Sequence, residues 1–435
     1  MNGIALQPGL NVITVTVTDS AGNERSDALA VTFTPPAAPL PLRLTGAGHI
    51  TGDAAEGAVL NIGQTYTLRA VPGGGEIFGG WSGSIVSENA QLTFTAEEGM
   101  EIVANFIANP FPAVKGGYVG LVETEPLVRG MSGSARVAVT GEGAFSAVLR
   151  FGTETVRFAG AFDSKGLFTG QVVRTGKPSL QLVLALELTD GSERLTGLIS
   201  DGTTTAAINA DPALSSSPQR GRYTAVLERD TASTTLPAGI GFGTMIVGAD
   251  GSVRYAGRFG DGTAVALNGY VTTRSQWPVY AQLYNGRGAL IGRVNFRDIP
   301  QTSDLDGRLH WQRPGGSEGD VSLTGSAYAR PAAGSRVLGL PRVASNARLT
   351  FSDGPLASPV ERAVTIGAAH QVIPAFGGYF KMTLDAGVGT FSGEIQLGGR
   401  IGRVSFGGVL LPKSGVGRGQ VRFSNGIGEV ELGAP

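Results

Sequence analysis

Along residues 11–18, NVITVTVT, apolar and polar side chains alternate, with Ile13, Val15 and Val17 on one side and Thr14, Thr16 and Thr18 on the other. A period of two built from β-branched residues predicts a half-buried strand. DSAGNERSD follows as a turn, and Leu29, Val31 and Phe33 then alternate again until TPPAAPLP ends the pattern. The two segments read as a hairpin. A lone hairpin is marginal in water and needs further strands. None lie upstream in the chain, so an exposed, unpaired strand edge is expected near residues 11–18. Asp19 and Asn23 in the loop read as turn formers that bond their local backbone. Their oxygens are too few for calcium.

The alternation returns in shorter pieces: Tyr66, Leu68 and Ala70 in QTYTLRAVP, Leu92 and Phe94 in QLTFTA, and Ile102, Ala104 and Phe106 in EIVANF. Between them stands Trp81 in FGGWSG, flanked by glycines 79, 80 and 83. So short a stretch can form only a thin core, in which one large aromatic supplies much of the burial. Trp81 is therefore expected to plug a core, not to offer a ligand platform.

From Ala113 onward the chain repeats itself diffusely. GGYVGLVE at Gly116, GRYTAVLE at Gly221 and GGYFKMTL at Gly377 each set an aromatic after a glycine and lead into a strand. Hairpin-like units follow: GAFSAVLRFGTETVRFAGAF, GSVRYAGRFGDGTAVALNGYV and GTFSGEIQLGGRIGRVSFGGVL. In the first, Phe145, Ala147, Leu149 and Phe151 form the inward set, with Ser146 and Arg150 outward. Three blocks are expected, at 113–214, 215–330 and 331–435. They read as antiparallel β-meanders, closed as barrels or packed as sandwiches so that edges are covered. No apolar period of 3.6 runs beyond a turn or two.

Composition agrees with an all-β chain of several domains. Glycine makes up 68 of 435 residues, and only 16% are charged. With 34 basic and 35 acidic residues and no basic block, the chain offers nucleic acid no electrostatic footprint. Cysteine is absent, which excludes disulfides, thiolate zinc sites and a cysteine nucleophile. No stretch has the length of a spanning helix. The N-terminal MNGIALQPGLNVITVTV has neither the basic start nor the apolar run of a signal peptide.

LQPGLNVITVTVTDSAGNERSDALAVTF resembles the final strands of bacterial immunoglobulin-like surface domains, so residues 1–36 are expected to be the C-terminal part of an incomplete domain. The ordered set of Gly-x-Gly, Tyr-x-Leu-x-Ala, Phe-x-Gly-Trp-x-Gly, Leu-x-Phe and Ala-Asn-Phe over residues 37–110 resembles a divergent internalin-B-type repeat. That resemblance implies a small β-grasp-like module with Trp81 in its core. The remainder resembles the Gly-rich β-repeat tails of exported bacterial proteins, which carry no activity to transfer. Together these resemblances imply a fragment of an extracellular or cell-surface protein whose signal peptide lies on upstream sequence. Its role would be adhesion, spacing or display, without enzymatic activity or cofactor. A glycan-binding accessory module of an extracellular enzyme is the alternative. An outer-membrane barrel fits less well, since aromatics are 7% of the chain and form no recurring girdle.

Candidate chemistry is sparse. His49, His310 and His370 lie in separate segments without metal-ligand spacing, so no metal site is expected. GWSGS and GMSGS lack the final glycine of a nucleophile elbow, and GVGRGQ has no βα unit around it. Asp304 and Asp306 are the nearest candidates for paired carboxylates. Asp201 and Asp261 open Asp-Gly turns, whose usual place is a hairpin. No catalytic residue is assigned. One stretch carries a ligand-binding expectation: SQWPVYAQLYNGRG, in which Trp277, Tyr280 and Tyr284 gather amphipathic rings beside Arg287. Such rings stack on sugars or bind protein partners, and the competing reading of the same rings is core packing.

Overall fold

The computed structural model describes residues 3–189, 191, 193–398 and 401–435. Strands make up almost all of its regular structure, and the one α-helix among the described residues is the single turn Phe111–Val114. The chain divides into two compact units. One runs to Pro112 and takes in Asp163–Lys165, and the other holds the rest.

In the first unit, Gly9–Thr18 pairs antiparallel with Glu24–Phe33, placing Ile13 opposite Leu29. The strands form as expected, and half-burial reaches part of the predicted face, at Ile13, Val31 and Phe33. Val12, Val15, Val17 and Leu29 are exposed, because among the described residues no third strand joins this two-stranded sheet, whose edge stays unpaired as expected. The Asp19 carboxylate accepts from the amides of Ala21 and Asn23 and from the Asn23 side chain, closing the turn.

The following module has two three-stranded sheets. One sets Ile102–Ala108 between Leu42–Thr45, which runs parallel to it, and Glu76–Gly83. The other sets Thr65–Pro72 between Gly48–Gly52 and Gln91–Thr95. Both sheets feed one core holding Leu68, Leu92, Ile102 and Trp81. Trp81 is 2% exposed, packs edge-on against Phe78, and donates its indole N–H to the Asn89 carbonyl at 2.9 Å. The alternation of small and large residues thus builds a thin core around one indole.

The second unit contains three eight-stranded antiparallel sheets, with strands spanning 116–212, 221–327 and 347–433. Each is an up-and-down meander whose first strand pairs with both its second and its eighth strand, curling the sheet into a barrel. Barrels form, and sandwiches do not. Closure removes most of the edge that an open sheet would expose. One seam stays unpaired in each, between strands four and five in the first two barrels and between three and four in the third.

A recurring device fills the seam. The strand after it starts with an aromatic at its first or second position: Phe168 in Leu167–Arg174, Trp277 in Gln276–Leu283 and Phe380 in Phe380–Asp385. Across the seam of the first barrel stands Gly160, where a Cβ would lie 2.6 Å from the Phe168 ring. Across that of the second stands Gly269, where a Cβ would lie 2.2 Å from the Trp277 indole nitrogen. Glycine on one side admits the aromatic from the other. Interiors are filled by side chains in the manner of small barrels: Tyr255, Trp277, Leu290, Leu305 and Leu323 share one cluster in the second barrel, and Leu349, Phe351, Ile395, Phe406 and Val430 one in the third.

The repeated Gly-aromatic phrases are equivalent in only two cases. Tyr118 and Tyr223 both lie in a first strand, and each donates its hydroxyl to a carbonyl four residues back, Val114 at 2.7 Å and Gln219 at 2.8 Å. The third phrase leads into the strand after the seam instead, and its Tyr379 donates outward to Glu394 at 2.9 Å. The first strand of the third barrel is Ala347–Ser352, whose Ala347, Leu349 and Phe351 point inward without an aromatic-glycine start.

Candidate ligand-binding cleft

The SQWPVYAQLYNGRG stretch does not form one aromatic face. Along Gln276–Leu283, Trp277, Val279 and Leu283 point into the second barrel, while Pro278, Tyr280 and Gln282 point out. Trp277 has no exposed surface, so its expected place in a ligand site is corrected: its ring closes the seam. Tyr284 is half-buried against the core and donates its hydroxyl to Asp261 at 2.7 Å. Burial, then that bond to a carboxylate, pushes the Tyr284 hydroxyl up to about 12. Arg287 is exposed, and its carbonyl accepts from Arg129 of the first barrel at 2.5 Å. Arg287 lines an open surface cleft of about 470 Å³ with Arg129 and Arg313, and Tyr280 lines a separate one.

That cleft lies between the outer faces of the first and second barrels and has a volume of about 490 Å³. The first barrel contributes Ser134 and Arg136 from Gly133–Val139 and Arg150 from Ala144–Phe151. The second contributes Arg254 from Ser252–Arg258, Asn268 and Tyr270 from Ala264–Tyr270, and Tyr280. Strand alternation explains this lining, because each residue is the outward neighbour of an inward apolar one: Arg136 beside Val137, Arg150 beside Leu149, Arg254 beside Val253 and Tyr255. Arg136 lies over the Tyr270 ring at 4.9 Å, a cation–π contact that links the two walls.

Charge in the cleft is unbalanced. Arg136, Arg150 and Arg254 form no ion pair among the described residues, whereas the lining Glu154 is held by Lys177 at 2.7 Å and by Arg174 at 3.3 Å. Three guanidinium groups thus face a concave space whose one carboxylate is already neutralised. The Tyr280 hydroxyl, shielded from solvent and without a geometrically good hydrogen-bond partner, is raised in pKa chiefly by burial. An oxygen-rich anion would find donors on both walls and two ring edges.

The barrels are fixed to each other beside the cleft. Arg293 grips Glu123 through two hydrogen bonds of 3.0 and 2.6 Å, and Arg274 meets Asp211 at 2.8 Å. Backbone bonds from Leu214 to Val271 and from Thr273 to Pro212, each 2.9 Å, tie the linker between the barrels to the second.

The other candidates are spoken for. Asp304 binds Lys413 at 2.9 Å and Asp306 binds Arg297 at 2.5 Å, so neither is a free carboxylate. Asp201 accepts from the amides of Thr203 and Thr204, and Asp261 from that of Thr263, as turn-closing aspartates do. His310 pairs with Asp320 at 2.8 Å across neighbouring strands. Among the described residues no three His, Asp or Glu side chains gather as around a metal, and no helix is long and apolar enough to cross a membrane. The latter says nothing about strands.

Sequence reasoning reached Tyr280 and the outward direction of Arg150 but missed Arg136, Arg254 and Tyr270. Alternation reveals which residues point out of a barrel. It carries no information on which outer faces of two barrels meet.

No family model and no curated protein matches the chain. Among solved structures, it is similar to a protein of unknown function from the DUF3598 family of Nostoc punctiforme, at 11% identity and a TM-score of 0.19, covering 50% of this chain and 97% of that one. It is also similar to a mutant of the vaccine antigen Transferrin Binding Protein B from Haemophilus parasuis, at 13% identity and a TM-score of 0.20, covering 99% and 96%. Likenesses this low carry no functional argument.

Proposed function

We propose that the chain is a non-enzymatic part of an exported bacterial surface or secreted protein that works in adhesion or display, and that it meets its ligand in the cleft between the first and second barrels. The observation that carries this reading is the cleft lining: Arg136, Arg150 and Arg254, which form no ion pair among the described residues, set beside Tyr270 and Tyr280. Side chains fill the second and third barrels, so recognition is placed on outer surfaces. The ligand class that fits is an acidic glycan, whose carboxylates pair with guanidinium groups and whose apolar C–H groups meet the tyrosine ring edges. An accessory glycan-binding module of an extracellular enzyme would use the same cleft, and the Arg136–Tyr270 stack is the feature that favours it.

Export is tested by adding protease to intact cells that make the protein and probing for the chain. Loss of the signal from intact cells, or its recovery from the culture medium, supports the reading. A chain degraded only after lysis overturns it.

A further inference from the structure

A second cleft, of about 310 Å³, lies between the second and third barrels. It brings together two arginines from different barrels. Arg258 of the second barrel donates to the Gly262 carbonyl at 3.1 Å, and the Arg422 Nη2 of the third lies 3.7 Å from where a Gly262 Cβ would stand. The two guanidinium groups therefore meet at one loop. Neither forms an ion pair among the described residues. The adjoining carboxylate, Asp261, is turned away to Tyr284 and Arg313. Burial first, and the charge of Arg258 second, hold the Arg422 guanidinium below its ordinary pKa. Hydroxyls of Thr390, Ser392 and Ser405 line the same space.

Two like charges held together without a counter-ion cost free energy, and that cost vanishes when an anion bridges them. We propose that Arg258 and Arg422 clamp a tetrahedral oxyanion, a sulfate or phosphate group, with serine and threonine hydroxyls completing its hydrogen bonds. Guanidinium forks suit such groups because two N–H donors align with two oxygens. The group has two possible sources, a free inorganic ion or a sulfate or phosphate ester on a larger molecule. Bound there, it ties the second barrel to the third. The site is separate from the cleft between the first and second barrels and stands whether or not that cleft binds a glycan.

Calorimetric titration of the whole chain with sodium sulfate and sodium phosphate, against sodium chloride at matched ionic strength, tests the clamp. Sulfate or phosphate is expected to bind with a stoichiometry near one, and Arg258→Gln and Arg422→Gln to weaken binding about tenfold or more. Arg254→Gln, in the other cleft, is expected to leave it unchanged. Melting in chloride guards against misfolding. Relief of the like-charge contact should leave the melting temperature of Arg422→Gln equal or higher, while the extra stabilisation by sulfate is lost. Sulfate stabilises most proteins by exclusion from the surface, so the increment relative to the variant is the quantity read. A sulfated dextran oligomer separates the sources: affinity per group equal to that of inorganic sulfate marks a free-ion site, and tighter binding marks an ester. Equal sulfate binding by the wild type and both variants, or none by the wild type, overturns the proposal.

Discussion

The side-chain amide of Gln420 in the third barrel donates to the backbone carbonyl of Ile240 in the second at 2.6 Å, and its other hydrogen goes to Phe259 at 2.5 Å. Gln420 is 1% exposed. Around it lie Val226, Ile240, Val409 and Leu411, a small apolar cluster between the barrels, and the Thr224 hydroxyl donates to the Leu410 carbonyl at 2.5 Å. Two filled barrels are thus joined by a junction whose apolar residues are as buried as those of their own cores. Gln420→Ala takes the side-chain donor from the buried Ile240 carbonyl, while Phe259 still accepts from the Gly262 amide at 2.8 Å. Leaving that one carbonyl unpaired costs about 1–3 kcal/mol. Denaturant unfolding should show that loss. A shift within experimental error would mean that water replaces the amide and the junction is wet.

The small N-terminal module depends on one indole. Removing a buried tryptophan side chain costs about 3–5 kcal/mol, most of what a core of this size supplies. Trp81→Ala should therefore make residues 37–110 sensitive to protease while the barrels stay resistant. Unchanged proteolysis would show that Trp81 is not the plug.

The seam aromatics predict a steric effect as well as a cavity effect. Gly269→Leu drives a side chain into the Trp277 indole, and Trp277→Ala empties the same space; each should lower the stability of the second barrel by about 3 kcal/mol or more. Trp277→Ala should leave binding in the neighbouring cleft intact when assayed below its melting temperature. Loss of binding by a folded Trp277→Ala protein would return the indole to the ligand site.

Alkaline pH should unfold the second unit in a definite window. Burial, with the charge of Glu193 adding to it, pushes the Tyr118 hydroxyl up to about 12; Tyr284 reaches about 12 through burial and Asp261. Burial raises Tyr255 as well. An unfolded tyrosine titrates near pH ~10, so the native state keeps these protons when the unfolded state has lost them. Their contribution to stability is complete below pH ~10 and is lost as pH climbs toward 12. Absorbance at the tyrosinate band should rise in two steps, with the buried hydroxyls released together with the loss of circular dichroism. Titration of all nine tyrosines in one step with the fold intact would contradict this.

The fold was legible where the pattern is local. Phe145, Ala147, Leu149 and Phe151 point inward, each 3% exposed or less, because a strand with one buried face must alternate. The mispairing of the GGYFKMTL phrase shows the limit. Glycine followed by an aromatic marks both a first strand with its tyrosine tether and a strand after a seam, and the letters do not distinguish them. Trp277 was misplaced for a related reason. A tryptophan beside tyrosines has the composition of a binding face, and only the opposing Gly269, brought close by barrel closure, reveals it as a plug. The cleft arginines were beyond reach because their neighbours come from separate barrels.

The most direct measurement is calorimetric titration of the chain with an oligogalacturonate and with a neutral galactan oligomer of equal length, at low salt. The acidic sugar should bind and the neutral one should not. Affinity should fall as salt rises, and Arg150→Gln and Tyr280→Ala should each weaken binding about tenfold. Absence of binding to the acidic sugar, or binding that both variants retain in full, would contradict recognition of an acidic glycan in the cleft between the first and second barrels.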